Sequence, residues 1–322
     1  MDMKNKRMPV YIFAAVLVFL CSVLCSAMAD GAFPETGNSA FLQEGEFVYE
    51  NPEEGVWRYL SPTLRIEIFR HEDTKLKRVW FVADIQAQSD ERFHLIPKDP
   101  AKRMTRMDYV HNIAKENGIV FATSSDFAHL RIQQKIRAGI LIRDGQIISS
   151  KTRTPKSTVF PNLDTLALFE DGDMRAFVFN EYEAEEYLKM GAVDVMAFGP
   201  ILIKDSIINE EVLSKYGTYR EPRIGIGFID KGHYIAIMVE GRHAESRGVS
   251  TCDLAELFQK EGCTMAFNLD GGQSASMVFM GTQIVHVGSN QQKTKATKSI
   301  PARSTAEIFG IGHTALMENP QP

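Results

Sequence analysis

Three short turns built on Asp and Gly set the architecture open to this chain. Ile140-Leu141-Ile142 and Gln146-Ile147-Ile148 flank Asp144-Gly145, and Leu166 to Phe169 and Ala176 to Phe179 lie around Asp171-Gly172. Ile224 to Ile229 and Tyr234 to Val239 meet at Asp230-Lys231-Gly232. Apolar runs broken by such turns predict antiparallel hairpins, because Asp and Gly accept the positive φ that a tight turn between twisted strands requires. Leu64, Ile66 and Ile68 alternate with Arg65 and Glu67 as in a half-buried strand, while the unbroken run Val79 to Val82 suits a more central one. Ile119 to Ala122, Val193 to Phe198, Thr264 to Phe267 and Met277 to Phe279 are further strand candidates.

Helical signals fall between these strands. Asp99-Pro100 supplies an N-cap and a first-turn proline, Met104, Met107, Val110 and Ala114 follow at helical spacing, and Asn117-Gly118 closes the pattern. A second helix is expected from Glu183 to Met190, ending at Gly191. A third is capped by Ser250-Thr251, carries Leu254, Leu257 and Phe258, and ends at Gly262. Strands and helices are not segregated, so the expected fold class is α+β, with a mixed, mainly antiparallel β-sheet and a few packed helices. The 322 residues are 44% hydrophobic, enough for a large core, and no repeat, low-complexity tract or long linker divides them. A single domain over residues 61–322 is expected, preceded at 30–60 by a loose arm rich in Gly, Pro, Asn and Glu.

Residues 1–29 have the pattern of an export signal. Lys4, Lys6 and Arg7 precede an uncharged run from Met8 to Ala29, and Ala27-Met28-Ala29 fits a small-x-small cleavage site before Asp30. The expected location is therefore secreted, periplasmic or at the cell surface. An uncleaved anchor is the alternative, and it is the one route to a membrane. The formal net charge of −5 becomes more acidic once Lys4, Lys6, Arg7 and Asp2 are removed. That excludes a general electrostatic grip on nucleic acid, so an anionic ligand must be held by a few placed cations. Cys21 and Cys25 leave with the signal. Cys252 and Cys263 flank the third helix, and a helix of that length spans about 16 Å where a disulfide tolerates roughly 7 Å; none is expected.

Polar clusters end several apolar runs: Ser124, Ser125 and Asp126 after Ala122, Glu240 to His243 after Val239, and Asn268 to Ser274 after Phe267. Sites are commonly assembled where strand ends meet loops. Taken alone, Asp270-Gly271 reads as a hairpin turn. Two glycines after a strand also let backbone N–H groups approach an anion with no Cβ in the way. The eight histidines are dispersed, with no His-Glu-x-x-His and no Cys/His spacing suited to zinc. Calcium on Asp126, Glu240 or Asp270 would demand six or more oxygen ligands. No metal and no cofactor are expected. No Gly-x-Ser-x-Gly elbow or Walker loop is present either. His243 is a candidate acid, base or ligand contact.

The run Glu240-Gly241-Arg242-His243-Ala244-Glu245-Ser246-Arg247-Gly248, a helix, then Asn268-Leu269-Asp270-Gly271-Gly272-Gln273-Ser274 resembles the phosphodiester glycosidase family. The resemblance covers about residues 75–312, with weaker echoes at Phe198-Gly199-Pro200, Pro222-Arg223 and Arg303. Three positions depart from the family pattern. Glu240 stands where the family has Asp, Gln273 replaces a third glycine, and Ser124-Ser125-Asp126-Phe127 replaces a segment that usually holds Asn-Gly.

The resemblance implies an exported hydrolase cleaving the glycosidic C–O bond of sugar 1-phosphodiesters, in cell-wall or exopolysaccharide components. The leaving phosphate monoester has a second pKa of about 6 and scarcely needs a proton. It needs its charge held, which suits arginine. Arg242 and Arg223 are the first candidates, then Arg303, with the amides of Gly271 and Gly272 assisting. The oxocarbenium-like sugar wants a nearby carboxylate: Asp270 first, then Glu240 and Asp126. Ser246, Asn268 and Ser274 are candidates to orient hydroxyls or phosphate oxygens. For Arg242 the structural alternative is an ion pair with Glu240 or Asp270; for Ser246 and Ser274 it is turn capping. Two other functions fit the same residues: a non-catalytic exported module binding an anionic glycan during polysaccharide assembly, and hydrolysis of a phosphodiester at phosphorus. The expected partner in each case is a glycosyl phosphate or other anionic ligand.

Overall fold

One end of a nine-stranded sheet gathers most of the polar strand ends named above. The computed structural model describes residues 31–37, 39–88, 90–99, 106–126, 139–151, 163–208, 210–215, 218–287 and 302–317. The signal segment 1–29, Phe127, Pro100 and Met104 lie outside the described residues.

The first strands are β1 (Phe47–Asn51), β2 (Val56–Leu60), β3 (Leu64–Asp73), β4 (Arg78–Ala87) and β5 (His94–Pro97). Helix α1 (Val110–Glu116) leads into β6 (Ile119–Ser124). Two hairpins follow: β7 (Gly139–Arg143) with β8 (Gln146–Lys151), and β9 (Asp164–Phe169) with β10 (Met174–Phe177). Helix α2 (Ala184–Lys189) precedes β11 (Ala192–Phe198), β12 (Ile201–Lys204), β13 (Ile207–Ile208) and α3 (Glu210–Lys215). β14 (Arg223–Asp230) and β15 (His233–Val239) form a third hairpin. Helix α4 (Thr251–Lys260) then leads to β16 (Met265–Asn268), β17 (Met277–Phe279), β18 (Thr282–Gln283) and β19 (Glu307–His313).

The nine-stranded sheet runs β1-β2-β3-β4-β15-β14-β16-β12-β13, and two five-stranded sheets run β10-β9-β11-β7-β8 and β18-β17-β6-β19-β5. Pairings between these strands are antiparallel; among the described residues the parallel contact is the isolated bridge Gly241–Val287. The fold is α+β and mostly β. All three expected hairpins form, with β10 starting two residues earlier than its apolar run suggested.

Two expectations are corrected. Helix α1 starts at Val110 rather than at Asp99-Pro100, because Asp108 forms a β-bridge with Thr305 and Tyr109 is extended (ψ 147°). Within the segment read as a loose arm, β1 and β2 pair along their length and add to the edge of the large sheet at β3.

β15 shows why the centre of the large sheet reads as a continuous apolar run. Ala236 and Met238 face a core shared with the other two sheets, while Ile235, Ile237 and Val239 face the layer under α4. A strand covered on both faces has no polar side to alternate with. Gly225 and Gly227 of β14 let Phe258 of α4 lie against the sheet, since an added Cβ would come within 2.9 and 2.8 Å of its ring. Ser250 caps α4 reciprocally: its Oγ accepts from Asp253 N at 3.1 Å, and Asp253 Oδ2 accepts from Ser250 N at 2.9 Å.

Register then aligns the polar ends. Arg223 pairs with Val239, Gly225 with Asn268 and Ile201 with Phe267. The start of β14, the ends of β15 and β16 and the start of β12 therefore share one end of the sheet.

Candidate functional site

Asp270 follows β16 at that end, and its backbone is clamped by the end of β6. Its N–H donates to Ser125 O at 2.9 Å, and its carbonyl accepts from Ser124 Oγ at 3.0 Å. These bonds join the nine-stranded sheet to the sheet that carries β6. They also bring Asp126 (1% exposed) into the neighbourhood of Asp270 (8%).

The Gly271-Gly272 turn is wedged against the start of β14. Gly272 N–H donates to Pro222 O at 2.7 Å, so this amide, expected to assist anion binding, is engaged by the backbone. Arg242 adopts φ +65° and lays its guanidinium against Gly272: a Cβ built there would sit 3.1 Å from Nη2. The ion pair that holds Arg242 is with Glu221, through Nε to Oε2 at 2.5 Å, rather than with Glu240 or Asp270. Glu221 is itself fixed by paired backbone bonds with Val249. Arg223 is anchored by its surroundings, with Nε donating to Val249 O at 3.0 Å and Nη2 to Tyr219 O at 3.2 Å. Burial pulls its guanidinium below the ordinary value, partly offset by Glu221.

Glu240 and Ser246 act on the loop that presents Arg242. Glu240 Oε1 accepts from His286 N at 2.6 Å, tying the loop to the strand-like segment at Val287. His243 lies between two carboxylates, with Nδ1 3.0 Å from Glu245 Oε2 and Nε2 3.2 Å from Glu240 Oε2. The second separation is an ion-pair distance without hydrogen-bond alignment. The Glu240 contact, with Glu245 adding to it against the opposing effect of burial, raises the His243 value above its ordinary range. Ser246 Oγ donates to Glu240 O at 2.7 Å and accepts from Val79 N at 3.1 Å, so this hydroxyl closes the loop from within.

Asn268 Nδ2 donates to Gly199 O at 2.9 Å, and its own N–H donates to Pro200 O at 3.2 Å. Because a carbonyl can only accept, this fixes the amide orientation; among the described residues Asn268 Oδ1 has no donor. The Gly199-Pro200 corner is held by Asp164, which accepts from Phe179 N and Ile201 N at 3.0 Å each. Ser274 N–H donates to Gly271 O at 3.1 Å, closing the short 3-10 turn Gly272–Ser274. Arg303 N–H donates to Gln273 O at 2.7 Å, which seats the Arg303 backbone on that turn.

A buried cluster that the sequence did not point to lies behind Asp126. Arg143, at the end of β7, pairs through Nε and Nη2 with Glu307 at the start of β19, and Nη2 lies 3.9 Å from Asp126 Oδ2. Burial is the largest single influence and would lower the Arg143 value, but Glu307, with Asp126 and Asp194 adding to it, makes the net shift upward. Neither residue stood out, because a charge beside an Asp-Gly turn or opening a strand normally faces water. Glu221 was also missed, although it directly precedes the Pro222-Arg223 echo. Among the described residues no group of three or more His, Cys, Asp or Glu side chains could hold a metal ion.

Comparisons with known proteins bear on the family and the fold. A family model described as "Phosphodiester glycosidase" matches residues 113–311. The SPbeta prophage-derived uncharacterized protein YomE of Bacillus subtilis is 29% identical over 157 residues, covering 48% of this chain and 24% of that protein. Human N-acetylglucosamine-1-phosphodiester alpha-N-acetylglucosaminidase is 28% identical over 151 residues, covering 43% of this chain and 29% of that protein. The chain thus spans between 24% and 29% of the length of these two relatives. The zebrafish catalytic domain of the latter, auto-inhibited by its pro-peptide, superposes with a TM-score of 0.61 at 17% identity, covering 79% of this chain and 85% of that one. At that identity the likeness concerns the fold alone.

Proposed function

This chain belongs to the phosphodiester glycosidase family, and on that premise we propose that it hydrolyses the glycosidic C–O bond of sugar 1-phosphodiesters. The observation that carries the reading is the placement of opposite charges about one turn. Asp270 opens the Gly271-Gly272 turn, and the Arg242 guanidinium lies against Gly272. A guanidinium suits a departing phosphate monoester, which leaves without needing a proton from the protein. A carboxylate beside the anomeric carbon serves as nucleophile, or as base for water. The human relative's name specifies an N-acetylglucosamine 1-phosphodiester, which sets the substrate class to test first.

In this proposal Asp270 is the catalytic carboxylate and Arg242 the phosphate clamp. Arg303, seated on the same turn, is a second cation for the phosphate. Arg223 has its backbone beside the turn at Gly271 and its side chain bonded to Val249 O and Tyr219 O, and it is a further cation at this end of the sheet. Glu240, His243 and Ser246 hold the Arg242 loop. We also propose that the protein is exported through residues 1–29 and meets its substrate in cell-wall or exopolysaccharide material. N-terminal sequencing of the protein recovered from its host tests export by locating cleavage after Ala29.

A second reading, a non-catalytic module that binds an anionic glycan, is favoured by Gln273 and Ser124 at positions where the family pattern has Gly and Asn. The purified protein, incubated with a panel of sugar 1-phosphodiesters, separates the readings. Release of free sugar supports the glycosidase. Saturable binding without product supports the binding module, and a phosphate-bearing sugar product indicates attack at phosphorus.

A further inference from the structure

We propose that the buried Arg143–Glu307 pair is a positioning device for the acidic side of the site, holding the end of β6 and, through it, Asp126 and the Asp270 backbone. The inference rests on the glycosidase reading above for its catalytic consequence. Its structural content stands on a continuous set of contacts.

Arg143 and Glu307 side chains are 6% and 1% exposed. Nε donates to Glu307 Oε2 at 2.8 Å and Nη2 donates to Oε1. Nη1 donates to Ile142 O at 2.6 Å and Val195 O at 2.5 Å, which locks the fork onto the sheet of β7 and β11. Nη2 also faces Asp126 at 3.9 Å. From Glu307 the path continues through the backbone: its carbonyl accepts from Ser125 Oγ at 3.2 Å, and Ser125 O accepts from Asp270 N at 2.9 Å. Arg143 thereby links three sheets at the point where Asp270 begins.

Stability does not account for such an arrangement. Removing two charges from water costs several kcal/mol per ion, and apolar residues of similar volume commonly replace a buried pair with no loss of stability. A planar fork with five donors does what an apolar pair cannot, fixing a carboxylate in orientation as well as in place. Here it also keeps two buried carboxylates, Glu307 and Asp126, from facing each other without a cation between them.

The test is the double variant Arg143→Met with Glu307→Leu, which removes both charges and avoids leaving either partner of the pair buried alone. It is expected to fold with a Tm below that of the wild type, because Asp126 loses the cation that faces it, so exchange at Asp270 is read relative to a core amide of β4 such as that of Ala83. Its Asp270 amide is expected to exchange with solvent about tenfold faster or more, because the β6 end is no longer held. On a sugar 1-phosphodiester, kcat is expected to fall about tenfold or more with little change in KM, since the loss is in alignment rather than binding. Arg143→Lys, which keeps the charge without the fork, should lie between the two. A folded double variant with unchanged exchange at Asp270 overturns the proposal, whatever the turnover. Faster exchange with unchanged kcat overturns its catalytic consequence. Absence of turnover by the wild type refutes the glycosidase reading instead, and the exchange measurement still decides the positioning role.

Discussion

Glu221 Oε2 accepts from Arg242 Nε at 2.5 Å, and this contact aims the rest of the guanidinium at Gly272. The two side chains are 17% and 31% exposed for Arg242 and Glu221, so water screens the pair and its share of stability is only about 0.2–1 kcal/mol. Its value is orientation. Glu221→Gln is expected to leave the melting curve nearly unchanged while raising KM for a sugar phosphodiester about tenfold through loss of the aligned, charge-assisted contact. Equal KM in the two proteins would remove Arg242 from the binding role.

The glycine turn makes a second, steric prediction. A Cβ at Gly271 would lie 2.8 Å from Pro222 O, a backbone atom that cannot swing aside. Gly271→Ala is expected to break the Gly272 N to Pro222 O bond and to destabilise the protein by about 1–3 kcal/mol. Urea unfolding measures the loss, and sugar release should fall with it as the turn moves from Arg242.

Ser246 separates a structural serine from a substrate-binding one. Replacing it with Ala leaves the buried Val79 N–H without its side-chain acceptor and frees the Glu240 carbonyl from its donor. The expected cost is about 1–3 kcal/mol, seen as a lower urea midpoint. If Ser246→Ala instead raised KM with no change in that midpoint, the hydroxyl would belong to the substrate site.

How far these relationships could be read from the sequence depended on their range. The Asp-Gly turns, the Ser250 cap and the Glu183 to Met190 helix are set by residues a few positions apart, and they formed where their patterns lay. The start of α1 was misplaced because its limit is a bridge from Asp108 to Thr305, far along the chain. Pairing followed the same rule. Local pattern offers Glu240 or Asp270 as the ion-pair alternative for Arg242, yet the partner is Glu221, on the segment leading into β14. Arg143 and Glu307 are 164 positions apart in the chain, and nothing local marks either as buried. Motif residues mark a candidate site; the long-range partners that orient them emerge from the packing of three sheets.

His243 gives the Arg242 loop a pH dependence with a definite sign. Contact with Glu240 holds its folded value above the ordinary 6.5. A group raised on folding contributes stability that is complete below its unfolded value and is lost as pH rises through the folded one. The Tm of the wild type relative to His243→Gln is therefore expected to be highest at mildly acid pH and to converge on the variant's above the folded value. A difference that grew with rising pH would contradict the Glu240–His243–Glu245 arrangement.

The central claim is that Asp270 drives cleavage at the sugar carbon. Hydrolysis of a sugar 1-phosphodiester in ¹⁸O-labelled water, by wild type and by Asp270→Asn, tests it most directly. The account predicts label in the released sugar and none in the phosphate, with a loss of at least about a hundredfold in the variant at an unchanged melting temperature. Label in the phosphate, or full turnover by Asp270→Asn, would contradict it.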